Sequence, residues 1–103
     1  MTRCRITILK CGFNQELVDL YIDPERRKTF GKCEVFQEGQ EFIVDPFKEL
    51  PQGFCPWAWD DIYKSIVYLM TDESSGKEHN CVIACCTDGT RPVTFKIEKI
   101  GSD

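Results

Sequence analysis

Residues 57–70, WAWDDIYKSIVYLM, place Trp59, Ile62, Tyr63, Ile66, Val67 and Met70 at the i, i+3, i+4, i+7, i+8, i+11 positions of one helical face. A helix with one apolar stripe needs a second layer to bury it. Pro56 suits the first helical position, and Asp60 and Asp61 fall in the first turns, where the helix dipole favours negative charge. The segments far from this helix alternate instead. In RCRITILK, residues 3–10, Cys4, Ile6 and Ile8 share one face, and Arg3, Arg5 and Thr7 the other. In RPVTFKIEKI, residues 91–100, Val93, Phe95 and Ile97 alternate with Thr94, Lys96 and Glu98. Period two at both ends and period 3.6 between them specify a half-buried sheet with a helix laid on it.

The remaining elements are shorter. Asn14 is placed to cap a helix through QELVDLYI, with Glu16 in its first turn and Leu17, Leu20 and Tyr21 as the inner stripe. DPERRKTFGK, with Pro24 and Gly31, reads as the loosest part of the chain. A turn at Glu38 and Gly39 leads into a strand from Glu41 to Val44, and PFKELPQGFCP, with three prolines and a glycine, is a loop. TDESSGKEHN is a polar loop, and CVIACC is by composition a fully buried strand. TDGT supplies a hairpin turn, because Asp-Gly accepts positive φ, and Pro92 stands at the start of the last strand. The expected order is β-α-β-α-β-β in one domain, residues 1–103, of class α+β, a mostly antiparallel sheet with the central helix on one face.

The net charge of -4 argues against a dedicated nucleic-acid binder. The basic run Arg26, Arg27, Lys28 is diluted by Asp23 and Glu25 and reads as a solvated loop. No stretch approaches the roughly 18 apolar residues needed to span a bilayer, and Ile6 to Leu9 is too short for a signal-peptide core. The expectation is a cytoplasmic protein with no membrane partner. A protein partner or a homodimer is compatible with the sequence.

Seven cysteines are many for 103 residues, and an odd number cannot pair completely within a monomer. In a reducing compartment they are free thiols, some of them reactive or metal-binding. Cys55 carries the most specific argument. It precedes Pro56, at or next to the helix N-cap, where unpaired N–H groups and the dipole favour a thiolate. Trp57 is placed to shield it or to line a pocket. Cys85 and Cys86 are adjacent on a strand, so one faces the core and the other the opposite side. As small hydrophobes, both could simply be core. Cys4 reads as core, Cys33 lies at a loop-to-strand junction, and Cys11 and Cys81 are near strand ends.

No C-x₂-C knuckle is present. Cys81 and Cys85 share a face but would be about 13 Å apart at the usual strand rise. A transition metal such as zinc or iron would need ligands gathered from distant segments, with Cys33, Cys55, Cys85 and Cys86 as the candidates. His79, the single histidine, could form a Cys-His dyad only if its loop folded over a thiol. Asp88 and Arg91 flank a glycine turn and could hold an anion or support the thiols from behind. No phosphate loop, nucleophile-elbow serine or dinucleotide fingerprint occurs.

The motifs GQEFIVD, PQGFCPWAWDDIYK and ACCTDGTRPVTFKIEKI resemble those of a family of small cysteine-containing bacterial and archaeal proteins of unknown function, often from anaerobes. The family's pattern is similar across nearly the whole chain: a CRITILK-like strand, then C-VF--GQEF, GFC-WAW-DI and CCTDG-RPV-FKIE. The resemblance implies that Cys4, Cys33, Cys55, Cys85 and Cys86 are the family's motif cysteines, and that Cys11 and Cys81 are peculiar to this chain. TDESSGKEHN departs from the pattern, where relatives carry tryptophan-rich residues. The resemblance implies no activity, substrate or cofactor.

Two functional readings follow from the residues themselves. One is a cysteine site centred on Cys55, as thiolate ligand or nucleophile, for metal binding or thiol redox chemistry. The other is a non-catalytic binding or scaffolding module, its cysteines mostly core, using the Trp57 side of the helix and the DPERRKTFGK loop. A hydrolase or isomerase using Asp60 or Asp61 as base has little support, since the helix start explains both.

Overall fold

The computed structural model describes residues 3–71 and 81–100. The elements are β1 (Arg3–Cys11), α1 (Gln15–Tyr21), α2 (Pro24–Arg27), β2 (Glu41–Val44), α3 (Pro56–Thr71), β3 (Cys81–Cys85) and β4 (Val93–Ile100). The strands form one sheet in the order β2-β1-β4-β3, with every neighbour antiparallel. Helix α3 packs on one face, so the α+β class with a helix on an antiparallel sheet is observed. A short helical turn, α2, is the one addition to the expected order, within a segment expected to be loop.

The register makes the core. Ile6 stands opposite Phe42 on β2 and opposite Ile97 on β4, and Ile97 stands opposite Val82 on β3. Because side chains alternate, this row and its neighbours lie on the inner face. The register shifts between Ile8 and Lys10, so Leu9 and Lys10 both face outward and Cys11 returns to the interior.

Helix α3 meets the sheet through Ala58, Ile62, Ile66 and Leu69, all buried. The expected stripe is therefore rotated. Trp59, Val67 and Met70 sit at its margin, and Tyr63 is exposed. Ala58 explains the rotation, since a small side chain lets the helix approach while the large rings stay at the rim. Trp59 lies against Phe54 at 5.9 Å and against Tyr63 at 5.5 Å.

Helix α1 likewise buries only Val18, while Leu17, Leu20 and Tyr21 are exposed, Tyr21 at 78%. At seven residues it has two turns and one contact face, and the contact fell to Val18. Strand β3 is not fully buried either. It is an edge strand, with Val82 and Ala84 inward and Cys81, Ile83 and Cys85 exposed on the outer face.

Two segments outside the helices and strands supply core: the expected loop before α3, and residues 33–40, where no strand follows Cys33 as its placing at a loop-to-strand junction implies. Phe36 and Phe54 are buried and join Phe42 and Phe95, with ring centroids 4.9 to 5.8 Å apart. Gly53, at φ +83, makes the reversal that turns Phe54 inward, and Gly39, at φ +89, makes the turn before β2. On the outer face, Arg5 donates to Glu98 at 2.9 Å, with Glu41 and Lys96 beside the pair. Among the described residues, no helix is long and apolar enough to cross a membrane. The expected polar loop at 72–80, its departure from the family pattern and the His79 dyad lie outside the described residues.

Candidate functional site

Phe54 points into the core, so the next residue, Cys55, is held at the start of α3. The Trp59 N–H donates to the Cys55 carbonyl at 2.9 Å, the first bond of the helix, which makes Cys55 its N-cap residue. Phe36 is anchored in the same aromatic cluster, and three residues before it Cys33 is held half-buried against the core. The third thiol comes from the sheet. Cys86 follows β3 and turns inward, and the Val93 N–H donates to its sulfur at 3.3 Å.

These three thiols line one cleft of about 580 Å³, the size of a small-ligand site. Trp57 and Phe36 lie on its wall, with Arg26, Phe30 and Lys32 from the α2 segment and Asp88 and Arg91 from the β3–β4 loop. Of the residues expected to form a site, Cys33, Cys55, Cys86, Trp57, Asp88 and Arg91 are brought together. Cys85 is not. It faces the outer side beside Thr94, as strand alternation requires. Its thiol is pushed up by burial and then by the neighbouring Cys86, in part opposed by a hydrogen bond with Thr94.

The other thiols are separated from the cleft by position. Cys4 is fully buried, and burial pushes its thiol up to about 11. Cys11 lies behind the cleft wall, its sulfur donating to the Phe36 carbonyl at 3.6 Å. Burial, then Glu38, then Cys33 raise its pKa as well. Cys81 is exposed on the outer face.

The loop between β3 and β4 is tightly built. Asp88 Oδ1 accepts from the Thr90 N–H at 3.1 Å, the Thr90 hydroxyl at 2.9 Å and the Arg91 N–H at 3.1 Å. Asp88 Oδ2 accepts from Arg91 Nε at 3.1 Å. Burial raises the Asp88 carboxyl, but these donors outweigh it and hold the group below its usual value. The turn is thus made by an aspartate cap, and Gly89 is not at positive φ. The Asn14 amide donates to the Gly89 carbonyl rather than capping α1.

At the other end of the loop, the Trp57 indole N–H donates to Thr87 Oγ1 at 2.8 Å, and the Thr87 N–H donates to Asp61 Oδ2 at 2.8 Å. The Thr87 hydroxyl reaches Asp61 Oδ2 at 3.0 Å. Asp61 therefore latches the loop to α3. The first turn of α3 holds no acidic residue, so the expected placing of Asp60 and Asp61 beside its dipole is corrected. Thr87 carries no pattern that marks it for this site, Asp61 is legible only as part of the helix start, and Phe30 only as part of the DPERRKTFGK loop. Their roles depend on segments far apart in the chain.

Phe30 also lines the cleft. Its ring lies 4.7 Å from the Arg91 guanidinium, 5.9 Å from that of Arg26 and 6.1 Å from Phe13. Each guanidinium over the ring is attracted to its electron-rich face.

Among the described residues, no three His, Cys, Asp or Glu side chains are gathered closely enough to hold a metal ion. The three thiols line one cleft without being gathered into such a group. Comparison with known protein families, curated proteins and solved structures finds no match for the chain, and the family resemblance of its motifs stands as an expectation.

Proposed function

We propose that the cleft is a thiol-exchange site centred on Cys55. One observation carries the reading: Cys33, Cys55 and Cys86, from three distant segments, line the same ligand-sized cleft, while the other four cysteines lie outside it. In the proposed step the Cys55 thiolate attacks one sulfur of a disulfide substrate. A new S–S bond forms, and the second sulfur leaves with the bonding electron pair and takes a proton from water. Cys33 or Cys86 can attack the mixed disulfide, releasing the second thiol and leaving a protein disulfide. Two electrons pass from protein to substrate.

The test uses reduced protein carrying Cys81→Ser and Cys85→Ser, which removes the exposed outer thiols. A neutral disulfide, 4,4′-dithiodipyridine, should react fastest at Cys55, as read by release of thiopyridone and mapping of the modified peptide. Cys55→Ala should remove the fast phase. A fast phase that persists in Cys55→Ala sinks the assignment. Elemental analysis of protein purified without oxygen or chelator should find less than stoichiometric metal. Near-stoichiometric zinc or iron would replace this reading with a metal centre made from the same cysteines.

A non-catalytic binding module is the second reading. It is favoured by the joining of its two expected surfaces, since Trp57 and the α2 segment line the same cleft. Such a module would keep its ligand after the three thiols are replaced by Ser.

A further inference from the structure

The charges around the cleft run against those of the whole chain. The chain is net negative, yet Arg26, Lys32 and Arg91 line this one opening. Two carboxylates, Asp88 and Glu34, are also on the wall. Asp88 is occupied, because its oxygens accept from Thr90 and Arg91 within its own loop. Arg91 spends only Nε on it. A guanidinium has five N–H donors, so both terminal amino groups of Arg91 are left without a hydrogen bond among the described residues. That guanidinium lies over the Phe30 ring, 4.7 Å from its centroid, and the Arg26 guanidinium lies 5.9 Å from the same centroid. A fixed fork of unused donors is the geometry that takes a carboxylate or another planar oxyanion.

We infer that the cleft selects a small disulfide that carries an anionic group, with the anion on Arg91 and the disulfide sulfurs facing the cleft thiols. This rests on the thiol-exchange reading and adds the substrate class to it. The anion would replace water on the terminal nitrogens of Arg91, and Arg26 and Lys32 would raise its local concentration at the mouth. The chemical step is unchanged: the bond broken is the substrate S–S bond, and the leaving thiolate retains the anionic group.

The experiment compares two aromatic disulfides on the Cys81→Ser, Cys85→Ser protein: dianionic 5,5′-dithiobis(2-nitrobenzoate) and neutral 4,4′-dithiodipyridine. Each rate is divided by that of N-acetylcysteine amide with the same probe. The normalised anionic-to-neutral ratio should exceed unity by about tenfold at low salt and fall as salt is added. Arg91→Gln should lower the ratio by about tenfold. Arg26→Gln, whose side chain makes no hydrogen bond among the described residues, should lower it by a smaller factor and serves if Arg91→Gln fails to fold. A ratio near unity, or one unchanged in both variants, overturns the anionic substrate class. No fast phase with the neutral probe overturns thiol exchange itself, so the two failures are told apart.

Discussion

The rings of Phe36 and Phe54 lie 4.9 Å apart in the core, and each holds a cleft cysteine close by in sequence, Cys33 and Cys55. The cluster thus fixes two loops with no secondary structure of their own. Phe36→Ala should cost about 3 kcal/mol, the lower end for a buried phenylalanine, because a loop can partly collapse into the space. It should also free Cys33, whose alkylation should quicken while that of Cys81 is unchanged. Urea unfolding and peptide-resolved labelling check both. A loss of less than about 1 kcal/mol would show that the ring packs too loosely to set the site.

The Trp57–Thr87–Asp61 chain joins α3 to the β3–β4 loop at the surface. Exposed hydrogen bonds contribute little singly, so Thr87→Val should lower stability by about 1 kcal/mol. Thr87→Ser keeps the hydroxyl and should restore most of it. No loss in Thr87→Val, or a larger loss in Thr87→Ser than in Thr87→Val, would assign the effect to the threonine methyl rather than to the hydrogen bonds.

The buried thiols should be silent. In native protein at neutral pH, iodoacetamide should label Cys33, Cys55, Cys81, Cys85 and Cys86 well before Cys4 and Cys11, which react only on unfolding. Cys4 is raised to about 11 in the fold, so its contribution to stability is complete below the unfolded thiol value and is lost as pH rises towards the folded one. Labelling of Cys4 at the rate of Cys81 would contradict its burial.

The acid limb of stability has two named sources. Asp88 is held low by Thr90 and Arg91 against the effect of burial, and Glu98 is held low first by its bond from Arg5. A depressed carboxyl stabilises the fold above the unfolded value, about 4, and loses that contribution as pH falls through the folded one. Asp88→Asn and Glu98→Gln should each make the fall in stability below pH of about 4 shallower. Melting temperatures across that range that parallel the parent protein would refute the assignment.

Strand β3 should tolerate proline at one position and reject it at the next. The Cys86 N–H donates to the Val93 carbonyl at 3.1 Å. By the alternation of an antiparallel ladder, Val82 and Ala84 also turn their N–H groups to β4, and Ile83 turns its own to the free edge. Ala84→Pro should therefore cost at least about 2 kcal/mol more than Ile83→Pro. Equal costs would mean that the outer edge of β3 is paired in solution.

Local pattern in the chain was enough for the strand from Arg3, the strand from Val93, the strand Glu41 to Val44 and the long helix after Pro56, because each keeps its period without outside help. It also placed Cys85 and Cys86 on opposite faces and set Cys55 at a helix start, since both follow from backbone geometry. Tertiary structure decided what periodicity cannot encode. Burial of the α3 face moved from Trp59 and Tyr63 to Ala58 and Leu69, because a small side chain at Ala58 lets the helix approach the sheet while the large rings stay at the rim. CVIAC became an edge because strand order sets exposure, and strand order has no signature in a single strand. The cleft itself came from Phe36 and Phe54, aromatic residues in loops whose burial depends on contacts across the fold, and only those contacts bring Cys33, Cys55 and Cys86 to one opening.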